Sequence, residues 1–464
     1  MDSASNELRA RRDRMAGTWA SEHRGPAIVA SGLPVPIAGT DQFHDHHAHP
    51  DFAYLSGAAS AGAVLVFDPR EGWDLFLPLA SLEDMVWVGD GESLDSAATL
   101  TGLDRPKPLS AFAPWLEARR GESLAVLGNH DILHQPAAYG VPGWAALEPA
   151  IDDDASARLT ERIAESRRAK DDTEIARMRA AADATAAGHR AALRLARPGM
   201  TERALQVEVE AEFFRNGGAR TAYGSIVGGG PNGAVLHFSP TSRPFADGEI
   251  ILMDAAAEYE GYAADVTRTF PAGERFVGIQ RDLYSLVLSV QQQAVRDARP
   301  GKEYRDLHLE ASLRIAEGLQ GLGILRGSAA DLVEQDVHAL FFPHGLGHML
   351  GLATHDAGGC LAGRTASDRF GLKWLRADLP LQPGYVVTIE PGIYFIRALL
   401  TDPARRSRYA SPVNWELVDT LLDVGGIRIE DDVLVTPEGS EMLTASIPRG
   451  VEEIEELRRE GLRG

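Results

Sequence analysis

Two aspartates flanked by apolar residues, Asp254 and Asp265, restrict this chain more than any other feature. The segment IILMDAAAEYEGYAADVTRTF (250–270) has two strand-like arms around Glu260-Gly261. Glycine in a two-residue loop between such arms is a hairpin signal. With that turn, Tyr259 faces Tyr262, and counting outward sets Asp254 opposite Thr267. Asp265 lies two residues from Thr267, so the period-two alternation of a strand points both carboxylates the same way. As diagonal neighbours they would stand roughly 7–8 Å apart at Cα. Two carboxylates sharing one space repel unless a proton or cation lies between them, and a cation pair about 3.5–4 Å apart fits such a gap. A register shifted by one residue would leave both solvated, although the flanks IILM and YAA are apolar for a hairpin in water.

Two glutamates occur late in the chain. Glu390 ends the run VVTIE, and Glu430 lies in GIRIEDDVLV, where Arg428 and Glu430 share a face. An acid at the end of a buried strand needs a partner, and a structural Arg428–Glu430 pair is one reading. HGLGHMLGLATHD (344–356) carries His344, His348 and His355. It lacks the glutamate of a helical HExxH site, and its glycines weigh against a helix. A three-histidine metal site is therefore poorly supported. His237 closes the apolar run of AVLHFS.

The N-terminal third reads as mixed α/β, with strand-like runs at 61–68, 74–79 and 123–129. From Asp152 to about Ala196 the texture turns rich in Ala, Arg and Glu, which predicts two helices. A third is expected over 201–218, opened by Thr201 and closed by Gly217-Gly218. Further strand-like and helical segments alternate to the end without a short repeat. The expected class is α+β, with a mixed α/β domain over 1–160 and a second domain over 161–464.

With 464 residues, 44% hydrophobic and 24% charged, the chain has the balance of a soluble globular protein. Its net charge of −21 argues against nucleic acid or an anionic membrane as partner. The single cysteine, Cys360, excludes an intramolecular disulfide or a cysteine-rich zinc site. The first residues have no signal-peptide core and no apolar run is long enough to span a bilayer, so the cytoplasm is the expected location. The run HDHHAHPD, with His44, His46, His47 and His49, reads as a solvated polar loop.

NGAVLHF, MDAAAEYEGYAADVTRTF, PHGLGHMLGLATHD, VVTIEPGIYF and GIRIEDDVLVT, in this order, resemble the aminopeptidase P/prolidase branch of the metallopeptidases with the pita-bread fold. With the helical run after Ala169, the resemblance covers about 165–440; the N-terminal third is similar more loosely, around HPDFAYLSG and GAVLVF. The resemblance implies a C-terminal pita-bread catalytic domain and two divalent metals held by one histidine and four carboxylates. Asp254 would be a terminal ligand of one metal, Asp265 and Glu430 would bridge, and His348 and Glu390 would complete the other. Such an oxygen-rich set suits Mn2+, with Co2+ or Zn2+ as alternatives. A metal-bridging hydroxide would attack the scissile carbonyl, with Glu390 carrying a proton towards the leaving nitrogen. His237 and His355 match residues that contact substrate and stabilise the tetrahedral intermediate. His344 matches a contact to the substrate's carboxyl end, Arg428 an arginine beside the bridging glutamate, and Tyr223 a tyrosine near the metals.

The resemblance implies a small peptide substrate with proline at the second position. The long stretch between Glu390 and Glu430 is similar to bacterial prolidases, whereas PDFAYLSG is more like aminopeptidase P. Because the insert lies between two ligands, the preferred expectation is an Xaa-Pro dipeptidase (prolidase). The alternative is an Xaa-Pro aminopeptidase acting on longer peptides. Organophosphate hydrolysis is a conceivable side activity. A methionine aminopeptidase-like enzyme is disfavoured by the large N-terminal domain, and a non-enzymatic binding protein by the five filled ligand positions. The family resemblance also implies a homodimer.

Overall fold

The computed structural model describes residues 3–147 and 150–463. The chain forms two compact units, with the division between Arg167 and Arg168. The helix Asp153–Ser166 spans the expected division at residue 160 and lies wholly in the first unit.

A six-stranded mixed sheet carries the first unit, in the order Lys107–Pro108, Gly72–Leu77, Val64–Asp68, Ala27–Ala30, Ser123–Gly128 and Ala150–Ile151. The three apolar runs of the sequence form strands within it. Ala27–Ala30, buried at every residue, is too short to leave a periodic signal. Helix Ser3–Glu22 also escaped the sequence pattern, because charged side chains occupy inward positions. Arg12 is buried there, donating to the carbonyls of Leu55 at 2.8 Å and Thr101 at 2.7 Å.

The second unit is α+β and falls into two sets of elements. In the first, helices Asp172–Leu195 and Glu202–Arg215 pack together, near the antiparallel sheet of Thr267–Pro271, Ile250–Asp254 and Ile226–Gly229. In the second, helices Ile279–Asp297 and Tyr304–Gly321 accompany the antiparallel sheet of Val386–Ile389, Asp431–Thr436 and Gly439–Met442. A ribbon pairs Gly392–Tyr394 with Gly426–Arg428. The helix starts follow their capping residues. Asp171 and Glu174 form a reciprocal box, each accepting the other's amide at 3.0 Å. The Thr201 hydroxyl accepts from Ala204 N at 3.1 Å. That helix ends at Arg215 with Asn216 as its cap, one residue before the expected glycine pair.

The expected hairpin register is present. Tyr259 pairs with Tyr262 and Asp254 with Thr267. Glu260 and Gly261 have φ of 46° and 85°, the mirror-image turn that suits a twisted two-residue hairpin. One apolar cluster, including Leu205, Ile251, Phe270, Val287 and Val433, unites both sets of elements. Among the described residues, no helix is long and apolar enough to cross a membrane.

Candidate metal centre and substrate site

The first set of elements contributes two carboxylates and the second contributes an imidazole and two more. Asp254 ends its strand, and Asp265 lies just before Thr267–Pro271. The Asp265 amide leaves the hairpin ladder and donates instead to both carboxylate oxygens of Asp432 at 3.2 Å. His348 lies in an irregular loop, with no helix across 344–356. Its amide donates to Thr388 Oγ1 at 3.1 Å, and a Cβ on the adjoining Gly347 would overlap the Thr388 carbonyl. Glu390 follows Val386–Ile389, donating its amide to Leu346 O at 2.8 Å. Glu430 links two strands and donates its amide to Thr267 O at 3.1 Å.

All five side chains line one cavity of about 310 Å³, together with His237, His344, His355 and Arg428. Ligand atoms of Asp265, His348 and Glu430 lie within 4.8 Å of one another. His348 Nε2 stands 3.4 Å from Asp265 Oδ2 and 3.8 Å from Glu390 Oε1. The other ring nitrogen, Nδ1, donates to Met349 O at 3.0 Å, so Nε2 is the nitrogen turned to the carboxylates.

Asp254 is held from two sides. The Tyr223 hydroxyl donates to Oδ1, and Arg428 Nη2 donates to Oδ2 at 2.5 Å. Arg428 therefore pairs chiefly with Asp254, and its Nε stays 3.9 Å from Glu430 Oε2. The same Nε donates to Thr267 Oγ1 at 2.8 Å. A guanidinium only donates, so the Thr267 hydroxyl proton is committed to Glu430 Oε2, 2.6 Å away.

The cluster raises its own carboxyl pKa values. Burial pushes Glu390 up to about 7, with His348 and Arg428 opposing. Burial, then Asp265 and Glu390, holds Glu430 well above the usual carboxyl range. Burial also raises Asp254, against the pull of Arg428. Burial lowers His348, but Asp265 and Glu390 more than offset it and the net shift is upward. Burial is the largest cause for each carboxyl and the neighbouring carboxylates add to it, a cost that a bound cation would relieve. One imidazole among carboxylates, with Nε2 aimed at them where a metal could take the place of its proton, fits a divalent ion.

Around this cluster His344 and His355 are neutral. Burial, reinforced by Arg428, pulls His344 down to about 3. Its Nδ1 meets Gly345 O and its Nε2 meets the Tyr394 hydroxyl, both at 2.8 Å. Burial and neighbouring His348 pull His355 down to about 4, and the two rings meet edge to face at 4.5 Å. Tyr223 lies in a second cavity of about 410 Å³, which also borders His237, His355, Asp254 and Asp265. Sequence reasoning missed Trp374 and Arg376, which line the first cavity from an irregular loop with no periodic signal. It also placed Thr267 without assigning it a role, although its position opposite Asp254 was the available clue.

Residues 176–437 match the model of metallopeptidase family M24. The chain belongs to metallopeptidase family M24. Residues 8–125 match the aminopeptidase P N-terminal domain. Among curated relatives of this M24 member, a probable Xaa-Pro aminopeptidase of Aspergillus clavatus is 34% identical over 88% of this chain and 87% of its own. The Xaa-Pro aminopeptidase of Escherichia coli is 32% identical over 93% of each chain. The solved structure of E. coli aminopeptidase P with the inhibitor Pro-Leu superposes with a TM-score of 0.83 and 30% identity, covering 100% of both chains. The M24 chain thus has the pita-bread catalytic fold behind an aminopeptidase P-type N-terminal domain, and it is a metallopeptidase that binds divalent metal.

Proposed function

We propose that this M24 metallopeptidase is an Xaa-Pro aminopeptidase, releasing the first residue from peptides with proline second. The near end-to-end similarity to the E. coli Xaa-Pro aminopeptidase carries this reading, at 93% of both chains. It replaces the dipeptidase preference, which rested on the insert between Glu390 and Glu430. That insert folds into short helices, Arg397–Leu400, Pro403–Arg408 and Trp415–Leu421, and none of their residues lines either cavity at the cluster.

Asp254, Asp265, His348, Glu390 and Glu430 would hold two divalent ions, with Mn2+ suited to the hard donor set. When bound, the ions supply Lewis acidity at the scissile carbonyl and lower the pKa of water. Arg428 and Tyr223 fix the orientation of Asp254, and Thr267 fixes one oxygen of Glu430. Glu390, beside His348 at the cavity wall, takes a proton from the attacking water and passes it to the proline nitrogen. His237 or His355 donates to the developing oxyanion. Release of alanine from Ala-Pro-Leu and Ala-Pro tests the reading. Faster turnover of the tripeptide is expected, and cleavage of the dipeptide alone would return the enzyme to the prolidases.

A further inference from the structure

The metal-ligand cluster lies where two cavities adjoin, and their walls differ in chemistry. His237, His355, Asp254 and Asp265 border both. The smaller cavity adds Leu236, Pro343 and Trp374, an apolar stretch of wall, with Arg376, His344 and Arg428 beside it. The larger adds Arg203, Gln206, Ser225, Ser239 and Thr354. A peptide bond held over the cluster extends into one cavity on its amino side and the other on its carboxyl side. A proline ring has no N–H and no polar atom beyond its carbonyl, so it matches the apolar wall. The side chain of the first residue then falls to the polar cavity.

Arg203 gives that cavity a sign. It sits in the first turn of helix Glu202–Arg215, exposed to solvent. Its guanidinium is held by neutral groups, donating to Pro240 O at 2.8 Å and to the Gln206 side-chain oxygen. Among the described residues no carboxylate pairs with it. The nearest acid of the network, Glu210, accepts from Gln206 at 2.7 Å and Ser225 at 2.8 Å, and does not line the cavity. Besides Asp254 and Asp265, which would hold metal, Arg203 is the charged side chain on this cavity's wall, and that makes it a selective feature towards a charged substrate side chain.

We propose that the larger cavity receives the first residue's side chain and that Arg203 makes the enzyme prefer an acidic one over a basic one. This rests on the Xaa-Pro aminopeptidase reading. The test is kcat/KM for Glu-Pro-Leu, Gln-Pro-Leu and Lys-Pro-Leu with the metal-loaded enzyme. The glutamate peptide should exceed the lysine peptide by about fivefold at low ionic strength, as expected of one partly exposed charge pair, and the margin should shrink with added salt. Arg203→Ala should bring the ratio towards one and Arg203→Glu should invert it. A ratio is independent of the fraction of folded enzyme, so lower yield of a variant does not obscure the result. A native ratio at or below one, or one unchanged in both variants, overturns the proposal while leaving the Xaa-Pro reading intact. No release from any of the three peptides would overturn that reading and the proposal with it.

Discussion

Arg428 reaches Asp254 at 2.5 Å across 174 residues of sequence, while staying 3.9 Å from Glu430, its neighbour two residues on. Both partners of the close pair are buried, and the Asp254 pKa is nonetheless raised by burial. The guanidinium is therefore a counter-charge for a carboxylate cluster that lacks enough positive charge of its own. Arg428→Met should destabilise the metal-free protein by roughly 3–5 kcal/mol, the cost of stranding one member of a buried pair. The loss should be smaller after metal loading, because a cation on Asp254 replaces the missing charge. Calorimetric melting of both forms checks this. An equal loss in the two forms would remove Arg428 from the cluster's charge balance.

Asp265 is central to the cluster, with its carboxylate near His348 and its amide tied to Asp432. Asp265→Ala should lower metal content by at least one ion per chain and reduce kcat by more than about 100-fold. Elemental analysis and peptide assay measure both, and an active variant with full metal content would refute a ligand role.

Thr267 couples Arg428 to Glu430 through one hydroxyl. Thr267→Val preserves the shape and deletes the coupling, and should weaken metal affinity about 10- to 100-fold, as loss of a ligand-orienting hydrogen bond does. Thr267→Ser should restore it. Titration calorimetry with Mn2+ reads the affinity directly.

Metal binding should depend on pH. Glu390, pushed up to about 7, and Glu430, held well above the usual carboxyl range, both favour their protonated forms in the metal-free protein. Binding must expel those protons, so affinity should rise with pH and fall as pH drops below about 7, with protons released on binding. Calorimetry in buffers of different ionisation enthalpy counts those protons. Binding with no proton release at pH 6 would contradict the raised values.

Buried histidines away from the cluster set a second pH response. His189 donates its Nε2–H to Ala255 O and His308 its Nε2–H to Gly371 O, both at 2.8 Å, and burial pulls them down to about 3 and about 4. Unfolded, each titrates near 6.5. Between those limits the unfolded chain binds more protons, so stability is fully present above about pH 6.5 and declines as pH falls. Each histidine contributes a slope of about 1.4 kcal/mol per pH unit. Urea melts of metal-free protein should show a shallower acid slope for His308→Gln between pH 6 and 4.5, and parallel slopes would contradict a neutral buried His308.

Much of the site was legible because its encoding is local. A strand alternates its side chains with period two, and a two-residue turn pins register. Tyr259, Tyr262 and the turn between them therefore place Asp254 opposite Thr267 without reference to the remaining chain. The missing glutamate and the glycines of HGLGH weighed against a helical zinc motif for equally local reasons, and the loop at His348 is irregular. The loop that carries Trp374 and Arg376 has no such period and left no trace.

By itself, then, the sequence determined the hairpin, the register its turn sets, the helix start at Thr201, and the residue types able to hold a metal. Only the tertiary structure decided that Arg428 answers Asp254 rather than Glu430, that the Asp265 amide leaves its ladder for Asp432, and that the insert before Glu430 stays outside the pocket. It also decided that two cavities of unlike polarity meet at one cluster. The reason is range. Backbone periodicity orients a side chain within its own strand, but the partner it meets depends on how separate sheets dock, and docking is set by the packing of the whole core.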